Sequence, residues 1–421
     1  MIKYKGIYKY QETKMREYIL KNNLKLIYKK AESELSSICI SLNAGAGVEK
    51  GKLGLAHATE HMLYKGTEKR NEAQINKELS SIFGFQNAMT NYPYVIYYGT
   101  LLNEDLEKGI EIFSDIIIRP VFPVEGFKEE MDIIKEELNE WDEELEQYCE
   151  DKLFFNCFNE RRIKHPIIGT KESLNSITLM DIKEFYVENY FPENTSIVVI
   201  SSKSFEEVKD IVVKHFEQWD KRKLNREEEK YIIEYDKLVT RRFNDKRDGI
   251  KTCKVQMVFP IDMLNHNETK LLKVFNEYFC EGVNSLLYDT LRTKNGLIYD
   301  VIASINNENY IKLYKIMFTT SKENVDKCIE LINNCINNLE HYKININKED
   351  INGFVKALKI KRLFKEEKSI ILAKELAVYD TMFGDYNIYV DELNNLSEIY
   401  KEEVFKVAEK VLKASSVQVI C

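Results

Sequence analysis

Two stretches of the chain are written in the same grammar, and that repetition restricts the fold more than any other feature. The first is Thr178-x-x-Asp181, apolar Ile182, Phe185 and Tyr186, a break at Pro192, and the run Ile197 to Ile200. The second, at the chain end, is Leu396-Ser397, apolar Val404, Val407 and Val411, then Val417 to Ile420. Each reads as a helix, a short loop and a strand. A chain of 421 residues is too long for one ordinary domain and suits two of roughly 200 residues. The expectation is a duplicated α+β domain.

Between the halves, Asp220 to Lys230 is a charge run with little apolar content. It sets an N-terminal domain at 1–220, a linker at 221–230 and a C-terminal domain at 231–421. Further strands are expected in a hairpin around Lys21-Asn22-Asn23, at Ile38 to Leu42 and at Tyr94 to Leu102. A helix is expected from Asn103 to Ile118, with carboxylates in its first turn.

Lys+Arg 61 against Asp+Glu 69 gives a net charge of −8, so no basic surface is offered to nucleic acid or anionic lipid. Met1 to Tyr18 lacks the apolar core of a signal peptide, and no stretch approaches the ~20 apolar residues of a membrane span. Cys39, Cys149, Cys157, Cys253, Cys280, Cys328, Cys335 and Cys421 form no C-x-x-C pair. They read as buried thiols of a reducing compartment, not as a disulfide framework. A soluble cytoplasmic protein follows, with neither a nucleic acid nor a membrane as partner.

The chemistry centres on His57-Ala58-Thr59-Glu60-His61, within a segment of helical spacing from Leu55 to Lys65. At about 100° per residue, positions 57, 60 and 61 share one face. A catalytic zinc takes three protein ligands and keeps a fourth position open. The two imidazoles supply two ligands, and Glu60 is placed to take a proton from water. On spacing alone, a solvated helix with two surface histidines stays open. A third ligand must come from elsewhere. Phe127 to Trp141 reads as a helix with Phe127, Met131, Ile134, Leu138 and Trp141 on one face. Glu130, Ile134, Glu137 and Trp141 form one row, so these two carboxylates border the apolar stripe, whereas Glu136 and Glu140 turn to solvent. A carboxylate near the core needs a partner such as a metal. Glu137 is the expected ligand, and Glu130 an orienting or catalytic acid.

These residues, with Glu49-Lys50, Gly54-Leu55-Ala56 and Met62-Leu63-Tyr64-Lys65-Gly66-Thr67, resemble the inverted-motif zinc peptidases of the pitrilysin/insulinase family, closest to its processing-peptidase branch. The family's third ligand lands on Glu137 and its extra glutamate on Glu130. Gly84 to Thr90 resembles the family's edge strand for substrate, which implies substrate binding at Asn87 and Ala88. His165 to Thr170 is similar to another shared block. Leu291-Arg292 and Gly296-Leu297-Ile298-Tyr299 resemble the segment whose Arg and Tyr help bind substrate. Phe83 replaces a usual glycine, Ile298 an alanine, and Cys280-Glu281-Gly282 a glycine-rich stretch; no ligand is lost.

The resemblance implies two similar domains with antiparallel-rich sheets packed with helices, and Zn²⁺, one per chain. It implies a metalloendopeptidase acting on peptides or small unfolded polypeptides in a chamber between two chains, a homodimer or a heterodimer with a related subunit. Arg292 and Tyr299 then reach the zinc from the partner chain. The rival readings are a non-catalytic scaffold or regulatory subunit, and a dedicated maturation protease for one small peptide. Among the remaining histidines, His165 is expected in a structural turn, and His215, His266 and His341 at the surface without ligand partners.

Overall fold

Short runs rich in β-branched and aromatic residues build two mixed sheets. The computed structural model describes residues 15–221, 233, 235–394 and 396–421, so the 221–230 linker lies outside the described residues except for Lys221. The first sheet takes β1 (Arg16–Ile19), β2 (Lys25–Lys30), β3 (Leu35–Leu42), β4 (Phe83–Thr90), β5 (Val95–Leu102) and β6 (Thr195–Ser201), in the order β1-β2-β6-β3-β5-β4. The expected hairpin is β1 with β2, Arg16 facing Tyr28, and its turn holds Asn23 at φ 71.

The second sheet takes β7 (Arg242–Asp245), β8 (Cys253–Pro260), β9 (Ile298–Asn306), β10 (Leu313–Thr320) and β11 (Ser416–Ile420), in the order β7-β11-β8-β10-β9. Each sheet has a single parallel pair, β2 with β6 and β7 with β11, and antiparallel neighbours elsewhere. With β1 set aside, the two orders match strand for strand. The fold is therefore α+β and duplicated, and β4 and β9 are corresponding edge strands.

Each half lends one helix to the other half's sheet. Helix Leu145–Cys157 lies on the second sheet, where Asn156 Nδ2 donates to Gln418 Oε1 at 2.9 Å and Gln256 Nε2 donates to the Glu146 carbonyl at 3.0 Å. Helix Ser369–Phe383 lies on the first, burying Leu372, Ala373, Leu376 and Ala377 against Ile27, Cys39, Ile96 and Val198. Lys25 Nζ reaches Asp380 Oδ1 there at 2.7 Å. A cut between residues 220 and 231 therefore crosses two shared packing layers.

The expectation of eight unpaired thiols is corrected at one pair. Register brings Ile420 opposite Lys254, so the next residues along, Cys421 and Cys253, face each other and form a disulfide. The other six cysteines are buried and free. Among the described residues, no helix is long and apolar enough to cross a membrane.

Candidate active site

The histidine helix, Leu55–Leu63, starts where the chain leaves it little choice. Gly54 precedes it at φ 87, and a Cβ there would stand 2.3 Å from the Ile168 carbonyl oxygen. Glu49 Oε1 accepts from the Ala56 amide at 2.9 Å, a negative charge at the helix N-terminus. Arg162 in turn holds Glu49 Oε2 from Nε at 2.9 Å and Nη2 at 2.7 Å. Leu55, Ala56, Ala58, Met62 and Leu63 are buried, which turns His57 and His61 towards helix Val124–Glu143. That helix buries Met131 and Ile134 and packs Phe127, Leu138 and Trp141 against the same core, the stripe read from the sequence.

Glu137 from that helix meets both histidines. His57 Nε2 lies 3.2 Å from His61 Nε2, and these atoms lie 3.7 and 3.8 Å from the two Glu137 oxygens. Donor atoms at tetrahedral positions about 2.0–2.1 Å from a zinc stand about 3.3 Å apart, so this set fits the ion. Among the described residues it is also the one group of three His, Cys, Asp or Glu side chains close enough to hold a metal. His61 Nδ1 is 2.8 Å from Glu130 Oε1. With the proton on Nδ1, the Nε2 lone pair faces the ligand position. His57 Nδ1 is buried and has no hydrogen-bond partner among the described residues.

The surroundings shift these groups in both directions: burial lowers His61, but the hydrogen bond to Glu130 and the charges of Glu60, Glu130 and Glu137 outweigh it and raise the imidazole. Burial and the neighbouring His61 push His57 down to about 3, so it is neutral. Burial raises Glu130, but hydrogen bonds from His61 and Lys65 outweigh it and leave the carboxyl below its usual range. Burial lifts Glu137. Burial also pushes Glu60 up to about 6, against the hydrogen bond in which Thr90 Oγ1 donates to Glu60 Oε2 at 2.5 Å. Lys65 Nζ closes the far side, 3.0 Å from Glu130 Oε2 and 2.9 Å from Glu72 Oε1.

The structure thus gathers His57, His61, Glu137, Glu60 and Glu130 in one place, with Glu136 and Glu140 exposed. Asn87 and Ala88 lie on β4, paired to Tyr98 and Tyr97 of β5 on one side only. Arg292 and Tyr299 are not part of this cluster. Arg292 Nη1 donates to the Tyr299 carbonyl at 2.5 Å, its guanidinium lies 4.5 Å from the Tyr299 ring, and Tyr299 is 81% exposed. His165 ends a short 3₁₀ turn, its backbone carbonyl accepting from Tyr92 Oη and Arg162 Nη1 and its ring 6.2 Å from that of Phe155. His215 departs from expectation: it is half-buried, with Glu107 at 3.6 Å. The roles of Thr90, Lys65 and the Glu49–Arg162 pair were missed. All but Arg162 stand inside the quoted motif blocks, and only their three-dimensional neighbours reveal what they hold.

The chain belongs to the insulinase family, peptidase family M16. Residues 25–171 match the description "Insulinase (Peptidase family M16)" and residues 176–358 match "Peptidase M16 inactive domain". Among relatives, an uncharacterized zinc protease of Rickettsia bellii is 22% identical, over 92% of each chain. The mitochondrial-processing peptidase subunit beta of Saccharomyces cerevisiae is 31% identical over 37% of this chain and 34% of its own length. In fold, the chain is similar to a protease from Helicobacter pylori, with TM-score 0.86 and 20% identity over 97% of this chain and 100% of that one.

Proposed function

We propose that this chain is a zinc metalloendopeptidase that hydrolyses peptides or small unfolded polypeptides in a chamber built by two chains. The observation that carries it is the convergence of His57, His61 and Glu137 within one ion's reach, with Glu60 beside them. Zinc, when bound, supplies Lewis acidity and a water more acidic than bulk. Thr90 Oγ1 donates to Glu60 Oε2, and the Glu60 carboxylate accepts the proton of the attacking water and returns it to the departing amine. Glu130 fixes the His61 ring, and Lys65 fixes Glu130. The free edge of β4 at Asn87 and Ala88 takes the substrate as an added strand.

Arg292 and Tyr299 of the partner chain anchor the substrate or its developing oxyanion. The exposure of Tyr299 supports this, as does the lack of contact between the pair and its own chain's cluster among the described residues. The partner is a second copy or a related subunit, the latter supported by the relative named as a subunit. Six free buried thiols support a cytoplasmic location, and the single Cys253–Cys421 disulfide counts against it.

The test compares zinc content and peptide cleavage for wild type and Glu60→Gln. The proposal expects zinc in both and cleavage only in wild type, with a loss of at least ~10³-fold in the variant. Bound zinc with no cleavage by either protein would favour the scaffold instead.

A further inference from the structure

Away from the histidines, the seam between the halves encloses a cavity of about 390 Å³. Met89 of β4 walls it from the first sheet; Asn307 and Glu308, just past β9, wall it from the second; Glu375 enters from the crossing helix Ser369–Phe383. Its volume is near the lower end of ligand sites, about 300–1,000 Å³, and admits only a small molecule.

The polar groups inside are unevenly satisfied. Glu308 Oε2 and Asn307 Nδ2 are buried without a hydrogen-bond partner among the described residues. Asn307 Oδ1 is already taken by Lys312 Nζ at 2.7 Å. Glu375 makes no hydrogen bond or ion pair among the described residues, only longer-range interactions with surrounding charges. The lysines of the lining differ. Lys273 is paired with Glu392 at 2.7 Å, Lys374 lies over the Tyr98 ring at 4.2 Å, and Lys365 is exposed. Free acceptors therefore sit deep, and available positive charge sits towards solvent. Burial raises the carboxyls of both Glu308 and Glu375 and outweighs the opposing charges of Lys315, Lys273 and Lys312 on Glu308 and of Lys273 and Arg362 on Glu375.

We propose that this cavity binds a small zwitterion, a free amino acid or dipeptide, its ammonium on Glu308 and Glu375 and its carboxylate towards Lys365 and Lys374. Charge-assisted hydrogen bonds to the ammonium satisfy the two deep carboxylates. Because the walls come from both halves, the ligand ties them together and stabilises the chain in proportion to its occupancy. The site is separate from the zinc-type cluster and does not depend on the peptidase reading.

The test is calorimetric titration of the full-length Glu60→Gln protein, which keeps hydrolysis out of the measurement whether or not the chain is a peptidase. The probes are alanine, alanyl-alanine and N-acetyl-alanyl-alanine, which lacks the ammonium. Saturable binding of alanine or alanyl-alanine is expected, at least tenfold weaker for the acetylated probe and at least tenfold weaker after Glu308→Gln or Glu375→Gln. Which of the first two binds tells the free amino acid from the dipeptide. Melting curves of both isosteric variants check the fold; if one is destabilised, the other decides. No binding of either probe at millimolar concentration would overturn the proposal. Equal binding of the acetylated probe, or binding unchanged in both Gln variants, would overturn it too.

Discussion

Glu60 sits on a helix, and the hydroxyl that aims its carboxylate, Thr90, sits on the edge strand proposed to take the substrate. Under the proposed function, that hydrogen bond would link substrate docking to proton transfer through one strand. A hydrogen bond to a charged group contributes about 1.5–3 kcal/mol, so Thr90→Val should lower kcat by about 10–100-fold. KM and zinc content should stay near wild type, and Thr90→Ser should restore most of the rate. Steady-state kinetics of the two variants check this, and an unchanged kcat in Thr90→Val would deny Thr90 the role. Glu137 was legible because its helical row exposed it as a carboxylate beside an apolar stripe. Thr90 was not, because periodicity places a side chain on a face without naming the neighbour across it.

Among elements, the turn after the histidine helix is pinned to helix Leu106–Ile118 by Arg70. Its Nη1 lies 2.7 Å from the buried Asp115 Oδ2, its Nη2 2.6 Å from Glu111 Oε2, and its Nε 3.1 Å from Glu78 Oε1. Burial raises Glu111, but Arg70 and Lys108 overcome it and hold the carboxyl at about 2. Against an unfolded value of about 4.3, this depressed group contributes stability above pH ~4 that is lost as pH falls through about 2. Arg70→Met strands buried carboxylates and should cost about 3–5 kcal/mol near neutral pH. The difference in Tm from wild type should shrink as pH is lowered from about 4 to about 2, which thermal melts across that window check. The elements read from apolar spacing and caps are present, including the Thr178–Asp181 capping box, but β7 to β10 were not read as strands. The exchange of helices Leu145–Cys157 and Ser369–Phe383 was not legible, since a pattern shows which face is buried and not which sheet buries it.

For the whole molecule, the repeated helix, loop and strand pointed to a duplicated α+β domain, and with β1 set aside the two sheets share one strand order. The disulfide between Cys253 and Cys421 stayed hidden because it depends on the register between β8 and β11, across 168 residues. The proposed dimer makes a sharp demand. If Arg292 serves the partner's site, inactive Glu60→Gln and Arg292→Ala chains should complement each other when mixed. Random pairing of equal amounts gives one complete site in half of the dimers, about a quarter of wild-type activity. If Arg292 acts within its own chain, the mixture stays inactive.

Two distant helices are proposed to assemble one zinc site that performs hydrolysis. Zinc per chain and cleavage of an unstructured peptide, measured together on wild type, Glu136→Ala and Glu137→Ala, test it most directly. One zinc per chain and cleavage are expected in wild type and Glu136→Ala, and loss of both in Glu137→Ala. Full zinc and cleavage in Glu137→Ala would contradict it.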